Sequence, residues 1–263
     1  MKKIISSLFL FFFLLSLGTN ARDLTGNEAH KVIAGAEKVR FSDATSIPEY
    51  VSFRNGSEIP FAGFENWAKS NLRLPANNGF KLLNVENDKA GMTHYRYRQT
   101  INGYPVEGTM YLLHVKNNLI VSMNGQLFSK INSVSGASLT ESVALNNALQ
   151  NMNATVYRWE VASWEEHLKS VKNDPSASWF PKGELVYAPQ NGKYTAENYK
   201  LCYKFDIYAQ QPLDRQFVFV DASSGHVIYK INRIQDSDVP ATAVTAYSGT
   251  KTMTTDSVNA TTY

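Results

Sequence analysis

Cysteine is almost missing from this chain: Cys202 is the single one in 263 residues. No intramolecular disulfide can therefore hold the fold, and stability has to come from buried apolar surface. A large excess of charge is missing too. The formal net charge is +3 and falls to +1 once Lys2 and Lys3 are removed, too little to build the basic field that nucleic acid or an anionic bilayer requires. After the amino-terminal run no apolar stretch approaches the roughly 20 residues of a membrane span. Histidines at helical spacing are absent. No two of His30, His94, His114, His167 and His226 lie three or four residues apart, whereas a catalytic zinc helix needs two histidines one turn apart with a glutamate beside the first. His167 follows Glu165-Glu166 but has no second ligand, and no Gly-x-Ser-x-Gly elbow occurs. No catalytic, cofactor-binding or metal-binding residue is assigned to this chain.

What is present begins with a leader. Met1-Lys2-Lys3 precedes a run from Ile4 to Leu17 that includes Phe11-Phe12-Phe13, and small residues at Thr19 and Ala21 suit a signal peptidase. Cleavage is expected after Ala21, leaving a secreted, periplasmic or extracellular chain with no membrane partner. With 43% hydrophobic and 12% aromatic residues, the remaining roughly 240 residues suffice for one or two ordinary cores.

Residues 22–58 show weak patterning, with a short helix expected over Asn27 to Lys38. From Pro60, the spacing of Phe61, Phe64, Trp67, Ala68 and Leu72 predicts a helix with Pro60 in its first turn. The period then changes to two. Strands are expected over Phe80–Val85, Thr93–Ile101, Met110–Lys116 and Leu119–Gly125, with turns at Asn102-Gly103 and Asn117-Asn118. Tyr95, Tyr97 and Ile101 share one face, and His94, Arg96 and Arg98 the other. Arg96, Arg98 and the neighbouring His94 and His114 read as ordinary solvated residues.

Residues 132–138 are rich in Ser, Gly and Asn and read as a linker. Ser138-Leu139-Thr140-Glu141 has the spacing of a capping box, and Leu145, Ala148, Leu149 and Met152 line one face of the helix beyond it. A further helix is expected over Trp164–Lys172, then strands over Glu184–Ala188, Tyr199–Tyr208, Gln216–Asp221 and His226–Ile231. Cys202 falls inside a strand and reads as a buried structural thiol. Asp221 to Gly225 forms the last hairpin loop. The fold class is α+β: two small units, each a helix packed on an antiparallel sheet, followed by a Thr/Ala/Ser-rich tail from 239 to 263 that is disordered or only partly ordered.

The string Tyr97-x-Gln99-x-x-x-Gly103-x-Pro105-Val106-x-Gly108, with Asn124-Gly125 further on, resembles the fungalysin/thermolysin propeptide module. The second unit resembles a PepSY domain through the helix around Ala144–Leu149, the strand Lys200–Ile207 and the hairpin carrying Asp221 and Gly225. The tail segment Thr245–Asp256 looks like the opening strands of a thermolysin-type catalytic domain. The resemblance implies a signal peptide at 1–21, a propeptide-like unit at 22–131, a PepSY-like unit at 132–238 and the beginning of a catalytic domain at 239–263. It implies a pro-region that helps its cognate catalytic domain to fold, occludes the cleft, and is removed by a cut between Ile231 and Thr245. Zinc, and calcium with it, are then expected only in the catalytic domain. A free-standing secreted peptidase inhibitor and an envelope or adhesion module are the competing readings.

Overall fold

The computed structural model describes residues 22–42, 46–234, 238–245 and 249–256. The chain opens with β1 (Arg22–Thr25), α1 (Gly26–Val32), β2 (Ala36–Phe41), β3 (Pro48–Phe53), β4 (Ile59–Pro60) and α2 (Phe64–Asn71). It continues with β5 (Asn78–Asn87), β6 (Thr93–Ile101), β7 (Tyr104–Pro105), β8 (Met110–Lys116) and β9 (Leu119–Gln126). These strands form one antiparallel sheet in the order β1-β2-β3-β9-β8-β6-β5, with β4 on β9 and β7 on β6. The two central hairpins follow from their turns. Asn102 (φ 51°) and Gly103 (φ 82°) link β6 to β7, and Asn117 (φ 51°) and Asn118 (φ 61°) link β8 to β9, the left-handed pairs that a two-residue hairpin needs.

Three expectations are corrected in this unit. Pro60 is not in a helical first turn: it pairs with Leu119 at the edge of the sheet, and α2 starts only at Phe64. Phe61 carries the right period but stacks on Tyr95, ring centroids 4.2 Å apart, so its burial comes from the sheet. The short helix ends at Val32, and Ala36–Phe41 is a strand. The weakly patterned amino-terminal region therefore supplies three strands to the sheet. α1 and α2 insert Ala29, Phe64 and Ala68 into a core with Val39, Val51, Tyr111, Leu113 and Met123.

The second unit holds α3 (Glu141–Met152), β10 (Val156–Tyr157), α4 (Ala162–Lys172), β11 (Glu184–Pro189), β12 (Tyr199–Gln211), β13 (Asp214–Asp221) and β14 (Val227–Asn232). Its sheet runs β10-β12-β13-β14, with β11 also on β12. The predicted Ser138–Glu141 capping box is not formed. Thr140 is the cap, its Oγ1 accepting from Val143 N at 3.4 Å, while Glu141 Oε1 accepts from Gly183 N at 2.7 Å. The expected apolar face of α3 packs on Leu201, Phe205 and Ile207 of β12. Beyond it, β15 (Asp238–Thr245) and β16 (Gly249–Asp256) pair as an antiparallel ribbon outside both sheets.

Candidate functional site

The motif string runs through the first unit, and its end, Val106 to Gly108, lies on the seam between the two units. Tyr97 packs near Phe64 and Phe80 on the first unit's side. Gln99 is wholly buried, and both its amide hydrogens and its amide oxygen find partners nearby. Its Nε2 donates to Asn78 Oδ1 at 2.5 Å and to Phe128 O at 2.6 Å, and its Oε1 accepts from Phe128 N at 2.9 Å. A buried amide with all these bonds satisfied fixes one register where an apolar residue would only fill space. After the Asn102-Gly103 turn, Pro105 pairs with Thr100, and the chain then crosses to the second unit.

The crossing is a strap. Val106 makes a parallel bridge with Tyr187, and Glu107 N donates to Tyr187 O at 2.9 Å. Glu107 O accepts from Tyr199 Oη at 2.8 Å. The Glu107 carboxylate, 13% exposed, lies 2.8 Å from Lys204 Nζ and 3.5 Å from Arg98 Nη1. Arg98, expected on a solvated face, is therefore turned into the seam, while Arg96 pairs with Glu86 at 2.7 Å. Gly108 (φ 75°) lies where a Cβ would come within 2.3 Å of the Tyr194 ring. Burial first, and then the hydrogen bond with Tyr229, push the Tyr194 phenol up to about 12.

Apolar packing closes the seam. Ile101, Val106, Phe128 and Ile131 of the first unit lie in one cluster with Leu145, Tyr187, Leu201 and Phe205 of the second. Residues 132–138, read as a linker, are tied to both sides. Asn102 Nδ2 donates to Val134 O at 3.0 Å, Val134 N donates to Tyr187 Oη at 3.1 Å, and the Ser138 and Leu139 amides both donate to Ala222 O. Glu107, Tyr187, Tyr199 and Lys204 do not stand out in the sequence. Glu107 occupies an unspecified position inside the motif string, between Val106 and Gly108, and that placement is the one signal the sequence offers for it.

Asn124 and Gly125 lie on β9 beside β8. Asn124 Oδ1 is 2.7 Å from His114 Nε2, whose Nδ1 is 2.7 Å from His94 Nδ1, and His94 Nε2 is 3.3 Å from Asp88 Oδ2. The two histidines thus face each other across β6 and β8 and hold a polar chain over three strands. Among the described residues no group of three or more His, Cys, Asp and Glu is arranged to hold a metal ion.

In the second unit, Asp221 organises the hairpin. Its Oδ1 accepts from Ser223 N, Ser223 Oγ and Ser224 N at 2.8, 2.6 and 3.0 Å. Gly225 (φ 77°) leaves room for Asn147, whose Nδ2 donates to Gly225 O at 2.9 Å. Burial alone would push the Asp221 carboxyl up, but the Ser223 hydroxyl, the Ser224 and Ser223 amides and Lys200 outweigh it and hold it below its ordinary 3.8. A depressed carboxyl stabilises the fold above its unfolded pKa and loses that contribution as pH falls through the lower folded value. Asp221→Asn should therefore lower the melting temperature at neutral pH and flatten its fall between about pH 5 and about pH 3, as thermal melts across that range would record.

Cys202 pairs with Asp221 across β12 and β13, on the face of the sheet turned away from α3, buried with Val186, Ala188, Phe219 and Ile228. Burial first, with Asp221 adding to it, pushes the thiol well up from its ordinary range, so it is a packing residue. Labelling by a thiol reagent at neutral pH should be slow in the folded chain and become fast only across the denaturant unfolding transition. Rapid labelling of the native chain would contradict the burial.

Ala21 lies outside the described residues. Of the stretch Ile231 to Thr245, Ile231 and Asn232 end β14, Arg233 and Ile234 come next, residues 235–237 lie outside the described residues, and Asp238–Thr245 is β15. No helix among the described residues is long and apolar enough to cross a membrane.

Residues 78–127 match the Fungalysin/Thermolysin Propeptide Motif, which covers β5 to β9 and the whole strap. Two curated relatives are proteases. Bacillolysin of Bacillus amyloliquefaciens is 27% identical over 168 residues, 63% of this chain and 29% of its own. The thermostable neutral protease NprT of Geobacillus stearothermophilus is 26% identical over 218 residues, 79% of this chain and 36% of its own. The chain thus spans about a third of the length of these relatives. Among solved structures, the Bacillus megaterium YpeB C-terminal domain aligns over 75% of this chain and 77% of its own, at 12% identity and a TM-score of 0.32.

Proposed function

We propose that this chain is the pro-region of a secreted thermolysin-like zinc metalloendopeptidase, serving as folding chaperone and cleft-occluding inhibitor of its cognate catalytic domain. The observation that carries the reading is the match over residues 78–127, joined to what those residues do in the fold. The strap from Val106 to Gly108 within it fastens two units into one body, as a chain that presents a shaped surface requires and a flexible tether does not. Similarity to two proteases, each about three times longer than the matched part, supports the same reading.

The proposal assigns residues 1–21 to a secretory leader, the second unit to the PepSY type, and residues 239–263 to the opening of the catalytic domain. Maturation then falls between Ile231 and Thr245. Zinc and calcium are placed in the catalytic domain, and hydrolysis is left wholly to it. Its partner is that domain, met by sheet edges and the junction segment, with neither nucleic acid nor membrane after leader removal. The test is inhibition. Adding the chain to the catalytic domain should lower peptide hydrolysis in a saturable way, with the slope of a one-to-one complex. Undiminished hydrolysis at large molar excess overturns the inhibitory role.

A further inference from the structure

Where β14 gives way to the junction segment, the chain is fastened at several points. Arg233 N donates to Arg215 O at 2.8 Å. The Arg233 guanidinium donates from Nη1 to Asp206 Oδ2 at 2.5 Å and lies over the Phe217 ring, 4.2 Å from its centroid. Asp206 is itself gripped by the fork of Arg215, Nε to Oδ1 at 3.0 Å and Nη2 to Oδ2 at 2.7 Å. One residue on, Ile234 N donates to Asn232 Oδ1 at 2.9 Å, which bends the chain as it leaves the sheet.

From this geometry we infer that the Arg233–Ile234 peptide bond is a latent cleavage site for an arginine-specific endopeptidase, held closed by Asp206 and Asn232. An endopeptidase takes its substrate as an extended strand added to its own backbone and reads arginine with a carboxylate in its specificity pocket. β14 is the outer strand of its sheet, so the residues before the bond are already extended along an open edge. Two requirements are withheld. The arginine side chain is committed to Asp206 and Phe217, so Asp206 competes with the peptidase carboxylate for the same cation. The amide of the bond to be cut is turned onto Asn232 Oδ1, out of the extended shape. Hydrolysis itself needs only water, its hydroxyl going to the Arg233 carbonyl carbon and its hydrogen to the Ile234 nitrogen as the C–N bond breaks.

The lock is adjustable by construction. Both side chains of the Arg233–Asp206 pair are about a third exposed, 33% and 34%, and ion pairs of that exposure are weak. The closed state is therefore favoured but opens readily. Arg215 carries the same cation on β13, but it pairs with Tyr208 of β12, and the next residue, Gln216, pairs with Ile207 of β12 and Asn232 of β14, so its own peptide bond stays protected when the clasp opens. The inference rests on the pro-region reading for its biological meaning, since a cut here would release the two fastened units from the segment carboxy-terminal to them.

The experiment is timed digestion of the folded chain by an arginine-specific endopeptidase, with mass spectrometry tracking the product that ends at Arg233. Arg73, exposed in a turn at φ 53°, supplies a reference cut on the same molecule. Relative to that cut, Asp206→Asn should raise the rate at Arg233 by about fivefold, the equivalent of one exposed ion pair, and Arg233→Gln should abolish the product. Should Asp206→Asn unfold the chain, cuts at buried Arg158 rise with the rest, and Asn232→Ala, an exposed position, decides the matter by raising the Arg233 cut alone. Wild-type cleavage at Arg233 as fast as in the variants, or no gain in Asn232→Ala, overturns the inference. The digestion uses no catalytic domain, so its failure is separate from failure of the inhibition assay.

Discussion

Replacing Gly125 with alanine should cost about 3–5 kcal/mol, adding a backbone conformation reserved for glycine to an overpacked strand pair. Tyr111 of β8 faces Gly125 of β9, and β8 passes so close that an added Cβ would sit 2.0 Å from Met110 O and 2.8 Å from Tyr111 Cα. Both are backbone atoms, so no rotamer change relieves the clash, and φ at this position is 138°. The two strands have to separate, and they carry Tyr111, Leu113 and Met123 of the first core. A loss of that size is a large share of the roughly 5–15 kcal/mol that holds an ordinary domain. Denaturant titration monitored by tryptophan fluorescence measures it, and a variant of wild-type stability would mean that β8 and β9 do not approach so closely.

The second large effect is expected at the strap. Val106 is fully buried between the units, and Val106→Asp places a carboxylate there with no donor designed for it, at a cost of about 3–5 kcal/mol. The more telling outcome is the shape of unfolding. Because Val106 shares a cluster with Leu145, Tyr187 and Phe205, the wild-type chain should melt in one transition, and the variant in two as each unit obeys its own core. Differential scanning calorimetry separates these cases. Two transitions in the wild type would show that the seam does not couple the units.

The sheets are legible in the sequence where side-chain period and turn chemistry agree. Thr93–Ile101 and Met110–Lys116 alternate cleanly and are bounded by Asn102-Gly103 and Asn117-Asn118, whose positive φ values only a few residue types accept without strain. α3 is legible because Leu145, Ala148, Leu149 and Met152 repeat at helical spacing over a full apolar face. The amino-terminal strands are not, since β1 exposes most of its four residues and gains its place by pairing with β2 rather than by its own pattern. At Pro60 and Phe61 the period itself misleads, because Phe61 buries against Tyr95 from a loop. Ser138 loses the cap to Thr140 because Glu141 has a better use for its carboxylate at Gly183.

The candidate site is legible as a string and illegible as a place. Gln99, Gly103, Pro105, Val106 and Gly108 can be picked out by order and spacing, but the partners that give them meaning lie far along the chain. Glu107 meets Lys204 across nearly a hundred residues, and Tyr187 takes the strap on one side and Val134 on the other. Contacts of that separation leave no local period to read. The same holds for the clasp of Asp206, Arg215 and Arg233, which only the register of β12, β13 and β14 brings together.

The most direct measurement of the central claim is refolding. A denatured thermolysin-type catalytic domain diluted into buffer should recover markedly more peptidase activity when this chain is present during refolding and then separated from it before the assay, and the gain should vanish with Val106→Asp. Equal recovery with and without the chain would contradict the account.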